Sequence, residues 1–197
     1  MSSTLPPPPA SSTTTTTTPP PASTDPPATT TARIGSKPTL VSRSGLTFLI
    51  MDCPRPQNLH LYIKELKKHN VTDIVRVCSP TYSPIDLESA GVKLWDMAYD
   101  DGTSPPEEVI DSWLKLVKDR MITTKPASAI AVHCVAGLGR APVLVALALI
   151  EFGGLDPIVA VDFIRKNRRG AINNKQLLYL ERYERRMGGG GCGCVVM

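Results

Sequence analysis

The segment His133-Cys134-Val135-Ala136-Gly137-Leu138-Gly139-Arg140 sets a thiol six residues before a guanidinium, with two glycines between them. A glycine-bearing loop that leaves a strand and opens a helix aims backbone N–H groups and the positive end of the helix dipole at one point, which is an anion site. Gly137 and Gly139 permit the close approach that a phosphate cradle needs. Arg140 can hold two equatorial phosphate oxygens with its planar fork. A cysteine at the mouth of such a loop is kept as the thiolate, the nucleophilic form. The spacing is that of the HCx5R signature, so the expected chemistry is phosphoryl transfer through a thiophosphate on Cys134, a reaction that asks for no metal or cofactor. Cys134 taken alone reads as a small buried hydrophobe; the histidine, arginine and glycines around it reverse that reading. His133 is expected to orient the loop or the thiolate.

A phosphate ester with a poor leaving group also needs a proton donor, and a phenol with a pKa of about 10 is such a group. Asp100-Asp101-Gly102 supplies carboxylates beside a mobile glycine. Without the cysteine loop, the same three residues would read as an exposed acidic turn.

These groups must be carried by a scaffold. Leu46 to Ile50 and the β-branched run Val71 to Val77 read as strands, and between them Leu59, Tyr62, Ile63 and Leu66 recur at helical spacing, giving a strand–helix–strand unit. Val92 and Leu94 suggest a further strand, and Met97 to Pro106 a loop. Ser104-Pro105-Pro106-Glu107 carries helix-start signals: a capping serine, prolines in the first turn, and a glutamate three residues after the cap. Val109, Ile110, Trp113, Leu116, Val117 and Met121 form the apolar face of the helix that follows. Ala129 to Val132 is expected as a strand buried on both faces. Helices are expected from Arg140 to Phe152, from Asp156 to Asn167 (Ile158, Val161, Phe163 and Ile164 inward) and from Asn174 to Arg186 (Leu177, Leu178, Leu180 and Tyr183 inward). The alternation predicts an α/β domain whose central, mainly parallel sheet is flanked by helices.

Composition sets the limits of that domain. Residues 1–32 of the 197 hold nine of the 19 prolines, eleven threonines and a single charge, Asp25, a composition unable to offset its own ordering entropy. It reads as a disordered tail before a domain at 33–187 and a glycine-linked terminus at 188–197. Outside the tail 22 basic residues face 17 acidic ones, compatible with anionic ligands or acidic lipid and far short of a nucleic-acid-binding arm. Cys53, Cys78 and Cys134 leave an odd thiol count in the domain, which argues for a reducing compartment. The polar start lacks the apolar core of a secretory signal, and the longest apolar run, Ala141 to Ile150, is half of what a membrane span needs. Cys194-Val195-Val196-Met197 has the form of a prenylation box whose terminal Met favours farnesyl. Because one prenyl chain anchors only marginally, Cys192 is a candidate palmitoylation site, and the predicted location is the cytoplasmic face of the plasma membrane or endomembranes.

Val71-Thr-Asp-Ile-Val-Arg-Val-Cys78, the Asp-Asp-Gly loop, Ala131 through Glu151, Arg168-Arg-Gly-Ala-Ile-Asn173, Lys175 to Leu180 and the terminal Cys194-Val-Val-Met197 together resemble the phosphatase-of-regenerating-liver (PRL) group of protein tyrosine phosphatases, over about residues 40 to 187 plus the tail. The resemblance implies a compact dual-specificity-like protein tyrosine phosphatase fold and phosphoprotein substrates. It assigns Cys134 as nucleophile, Arg140 as phosphate clamp, Asp101 as general acid, and the backbone of Val135, Ala136, Gly137, Leu138 and Gly139 as the phosphate cradle. It also implies a reversible disulfide between Cys78 and Cys134, binding to a CNNM-type magnesium transporter gated by the state of Cys134, and a homotrimer. Ala141, where most tyrosine phosphatases carry a Ser or Thr, implies slow release of the phosphocysteine. The chain departs from the group at Met97-Ala98-Tyr99, where Trp-Pro-Phe is usual, at Ser79, where an acid is usual, and at Gly188 to Gly191, which replace a basic stretch.

Overall fold

In the computed structural model, the described residues are 32–124 and 128–186. The Pro/Thr-rich tail through Thr31 and the terminus with Cys192 and Cys194 lie outside them. Five strands form one sheet in the order β1-β2-β5-β3-β4: β1 Thr39–Arg43, β2 Leu46–Met51, β3 Val71–Arg76, β4 Lys93–Asp96 and β5 Ala129–His133. All neighbours pair parallel except β1, which returns antiparallel along β2. β1 has no counterpart among the expected strands. Only Val41 of its five residues is buried, so the alternation that marks a strand is absent from its sequence. Its turn is nonetheless built for a hairpin, because Ser44 and Gly45 both take positive φ (52° and 78°), the pair of left-handed residues that a two-residue hairpin loop requires.

The sheet has a different layer on each face. Leu49, Met51, Ile74, Ala129 and Ala131 pack against Leu59, Tyr62 and Leu66 of α1 (Leu59–Lys68) and Leu87 of the short α2 (Ile85–Ser89). Phe48, Ile50, Val75, Ile130 and Val132 face the larger layer of α3 (Glu107–Val117), α4 (Arg140–Glu151), α5 (Pro157–Asn167) and α6 (Asn174–Glu181). Every residue of α4 is buried, as is every residue of β5, so the strand and the helix on either side of the cysteine loop are the most enclosed elements in the fold.

Several local expectations are corrected. Ser104 does not cap α3: Pro106, extended at φ −69° and ψ 163°, occupies the cap, no side chain bonds there, and both prolines precede the helix. The α3 helix passes directly into a wider π-helical turn, Lys118–Thr123, that keeps Met121 buried. The last helix stops at Glu181 instead of Arg186, and beyond it the Tyr183 hydroxyl and the Arg186 N–H both bond to the Glu151 carboxylate, 2.6 and 2.7 Å. These bonds fold the chain back over α4. Ile158 and Leu178 are half-exposed where an inward position was expected. Among the described residues, no helix is long and apolar enough to cross a membrane.

Candidate active site

The site lies at the carboxyl ends of β2, β5 and β3, the place where open parallel sheets present ligands. Residues 134–139 turn from β5 into α4 there, with Cys134 nearly buried (3 % exposed) at the start. The Gly137 N–H donates to Cys134 Sγ at 3.2 Å.

The loop is held open by its carbonyls. Val135 O accepts from Cys53 N (3.0 Å), and Leu138 O from Ile172 N (2.7 Å). Ala136 O and Gly137 O accept from Arg168 Nη2 (3.1 Å) and Nε (2.6 Å). Four successive carbonyls are therefore drawn outward, and because carbonyl and N–H oppose each other across a planar trans peptide, the N–H groups of 136–139 turn toward the centre. That is the arrangement a phosphate cradle requires. Gly137 is required in it twice over: its φ is +69°, and a Cβ there would run into the Met51 carbonyl and the Arg168 guanidinium.

Arg168 is a functional residue that sequence reasoning missed. It is 6 % exposed, and it also donates to Lys37 O, Thr39 Oγ1 and Ser36 Oγ at 3.0–3.2 Å, so all five of its N–H bonds are used. In the sequence it is one of two arginines before a glycine at a helix end, indistinguishable from a solvated basic face. Ile172, held at the uncommon φ of 63°, completes the same brace.

Arg140 opens α4 and is buried, with Nη1 donating to Tyr99 O at 2.9 Å. Its Nε lies 3.1 Å from Asp101 Oδ1. The Nε–H is poorly aligned with that oxygen and makes no hydrogen bond to it, so the contact is an ion pair. With the Asp101 side chain 73 % exposed, it contributes less than about 1 kcal/mol. Tyr99 returns a bond from its hydroxyl to Arg140 O, 3.0 Å. The acid loop is thus tied to the loop arginine through Tyr99, the residue by which Met97-Ala98-Tyr99 departs from the usual Phe. Asp101 is the acid that meets Arg140. Asp100 contributes its carbonyl to Thr103.

His133 is fully buried, with Nε2 2.6 Å from the Tyr82 hydroxyl and Nδ1 3.4 Å from Cys134 O. Burial raises the Tyr82 phenol above its ordinary range, so it stays a hydroxyl. Donation from it to Nε2 leaves the ring proton on Nδ1, toward the Cys134 carbonyl. Arg76 supports the pair, donating to Tyr82 O and gripping Asp96 through two bonds of 2.5 and 2.8 Å.

Cys78 is buried, and the sulfur it touches belongs to Cys53, 3.9 Å away. The Cys78 S–H donates to Cys53 Sγ, which holds Cys53 well below the ordinary thiol range and pushes Cys78 above it. Cys53, Cys78 and Cys134 are all free thiols. Ser79 is exposed at the rim of the cleft that Cys53, Cys78 and Arg140 line. Gln176, also unmarked in the sequence, is buried. Its Oε1 and backbone form a capping box with Asn173, and its Nε2 abuts Gly139.

Residues 51–154 match a family described as a polymorphic toxin system phosphatase of the DSP-PTPase type. The chain is 52% identical over 147 residues to the PRL-1 phosphatase of Drosophila melanogaster, covering 75% of this chain and 82% of that one. It is 51% identical over 146 residues to a protein tyrosine phosphatase type IVA of Dictyostelium discoideum, covering 74% and 87%. Among solved structures, a protein tyrosine phosphatase from Leishmania major superposes with a TM-score of 0.69 at 42% identity, over 76% of this chain and all of that one.

Proposed function

The chain belongs to the PRL, or type IVA, family of protein tyrosine phosphatases, and on that premise we propose how its residues divide the work. It is a cysteine-dependent phosphatase of the dual-specificity type, and its substrates are phosphoproteins. Cys134 attacks phosphorus, Arg140 and the N–H groups of 136–139 hold the equatorial oxygens, and Asp101 gives its proton to the leaving phenolate. Water then hydrolyses the S–P bond and frees the thiolate. The observation that carries this reading is the cradle itself: four carbonyls tied outward around a thiol that already accepts from the Gly137 N–H.

Ala141 is fully buried and has no hydroxyl to assist the second step, so turnover is slow and the phosphocysteine persists. A long-lived covalent state favours a second role, as a module whose binding to a CNNM-type magnesium transporter depends on whether Cys134 is free. Farnesylation at Cys194, aided by Cys192, holds the protein on the cytoplasmic face of membranes, and Cys78 guards Cys134 against over-oxidation.

The test is release of phosphate from a tyrosine-phosphorylated peptide by the full chain and by Cys134→Ser, paired with membrane fractionation of Cys194→Ser. Loss of release in the first variant and loss of membrane association in the second are expected. Activity that survives Cys134→Ser overturns the chemistry, and unchanged fractionation of Cys194→Ser overturns the anchor.

A further inference from the structure

β2 and β3 flank β5 on opposite sides, and the register places both Met51 and Arg76 level with His133. Two residues beyond each lies a cysteine, Cys53 on one flank and Cys78 on the other. The two thiols therefore converge over the histidine that ends the central strand. Cys53 Sγ, Cys78 Sγ and a ring nitrogen of His133 lie within 4.8 Å of one another, and the sulfurs are 3.9 Å apart. In a tetrahedral centre with metal–sulfur bonds of about 2.3 Å, two sulfurs stand about 3.8 Å apart.

From this geometry we propose that Cys53, Cys78 and His133 form a binding site for a thiophilic d10 dication of the zinc class, separate from the phosphate cradle. Two thiolates and one imidazole make three protein ligands, with a fourth position left for solvent. On binding, the proton that Cys78 now donates to Cys53 is released, the ion takes its place between the sulfurs, and no oxidant or reductant is consumed. Two thiolates neutralise a dication, so Arg33, Arg55 and Arg140, which share the cleft, face a neutral centre and not a cation.

The surroundings suit such a site. The Thr81 hydroxyl is 3.1 Å from Cys53 Sγ. With His133 Nε2 held by the Tyr82 hydroxyl at 2.6 Å, the nitrogen left for the ion is Nδ1; ligation there moves the ring proton to Nε2, which then donates to the Tyr82 oxygen, the outer bond a metal-bound imidazole keeps. His133 and Cys78 are buried, while Cys53 is half-buried on a cleft of about 510 Å³, which gives an ion a way in. A Cys78 held by metal is unavailable to Cys134, so metal loading and the Cys78–Cys134 disulfide exclude each other.

The experiment uses the full chain with Cys192→Ser and Cys194→Ser, so that the terminus offers no thiols, kept reduced by a phosphine. It is titrated with Co²⁺ as an optical probe and with Zn²⁺ in competition with a chelating dye. The expected result is one ion per chain, with thiolate charge-transfer and tetrahedral d–d absorption, unchanged when Cys134→Ser is added. X-ray absorption at the zinc edge should read two sulfurs and one nitrogen from the protein. Affinity should fall at least about tenfold in Cys53→Ser, Cys53→Ala and Cys78→Ser. Failure of the reduced protein to take up cobalt, undiminished affinity in both Cys53 variants, or loss of binding in Cys134→Ser overturns the site. The phosphatase chemistry stands or falls on a different readout, phosphate release.

Discussion

Arg168 Nε donates to the carbonyl of Gly137 at 2.6 Å, from 31 residues further along the chain, and so fixes the shape of a loop it does not belong to. Its remaining N–H groups reach Ala136, Ser36, Lys37 and Thr39, which lashes the loop to the stretch entering β1.

Arg168→Ala should therefore lower both stability and catalysis. Two loop carbonyls lose their partners, at roughly 1–3 kcal/mol for each buried group left unsatisfied. Arg168→Lys should recover little, because an ammonium cannot span five acceptors in a planar fork. Thermal unfolding together with the rate of Cys134 phosphorylation checks this; wild-type values of both in Arg168→Ala would show that the loop holds its shape unaided.

Four of the five strands and most helices were legible because their apolar periods are strong. β5 and α4 carry continuous apolar runs, and α1 repeats at helical spacing. The cysteine loop and the Asp-Asp-Gly loop were legible as candidates because their residue types stand out locally, and the structure brings Asp101 to Arg140. The supports were not. Arg168, Tyr82, Tyr99 and Gln176 act through contacts between segments remote in sequence, and a buried arginine has the same letter as an exposed one. The approach of Cys53 to Cys78 depends on two strand registers meeting at His133, which neither cysteine's neighbours encode.

Ala141 gives the second prediction. Ala141→Ser should raise steady-state turnover and shorten the phosphocysteine lifetime while leaving the burst rate nearly unchanged, since the hydroxyl assists only the hydrolytic step. Stopped-flow release of an activated phenol measures both phases, and equal turnover in the two proteins would place the slow step elsewhere.

The two adjacent acids differ in contact, and so should their variants. Asp101→Ala should slow phosphoryl transfer by about 10²–10⁴-fold for phenols that leave poorly and much less for activated ones. Asp100→Ala should have a small effect on either. A series of aryl phosphates of graded leaving-group pKa decides this; a steep dependence appearing in Asp100→Ala would reassign the acid.

For Cys53 the prediction concerns pH. The folded-state thiol ionises well below its ordinary range, so the reactive thiolate is present above that low midpoint and is lost only as the pH falls through it. In chelator-treated protein, iodoacetamide labelling of Cys53 should stay nearly flat from about pH 8 to about pH 6, where an ordinary thiol slows about tenfold per unit. Peptide mapping over that range reads the profile, and tenfold slowing per unit at Cys53 would contradict its bond from Cys78.

The covalent intermediate bears most directly on the central claim, that Cys134 takes the phosphoryl group inside a cradle formed by residues 135–139 and Arg140. Rapid-quench mass spectrometry of the full chain with an activated aryl phosphate should find one phosphate per chain on Cys134. The adduct should form in the burst phase and be absent from Cys134→Ser. A burst with no phosphate on Cys134, or one that persists in Cys134→Ser, would contradict the account.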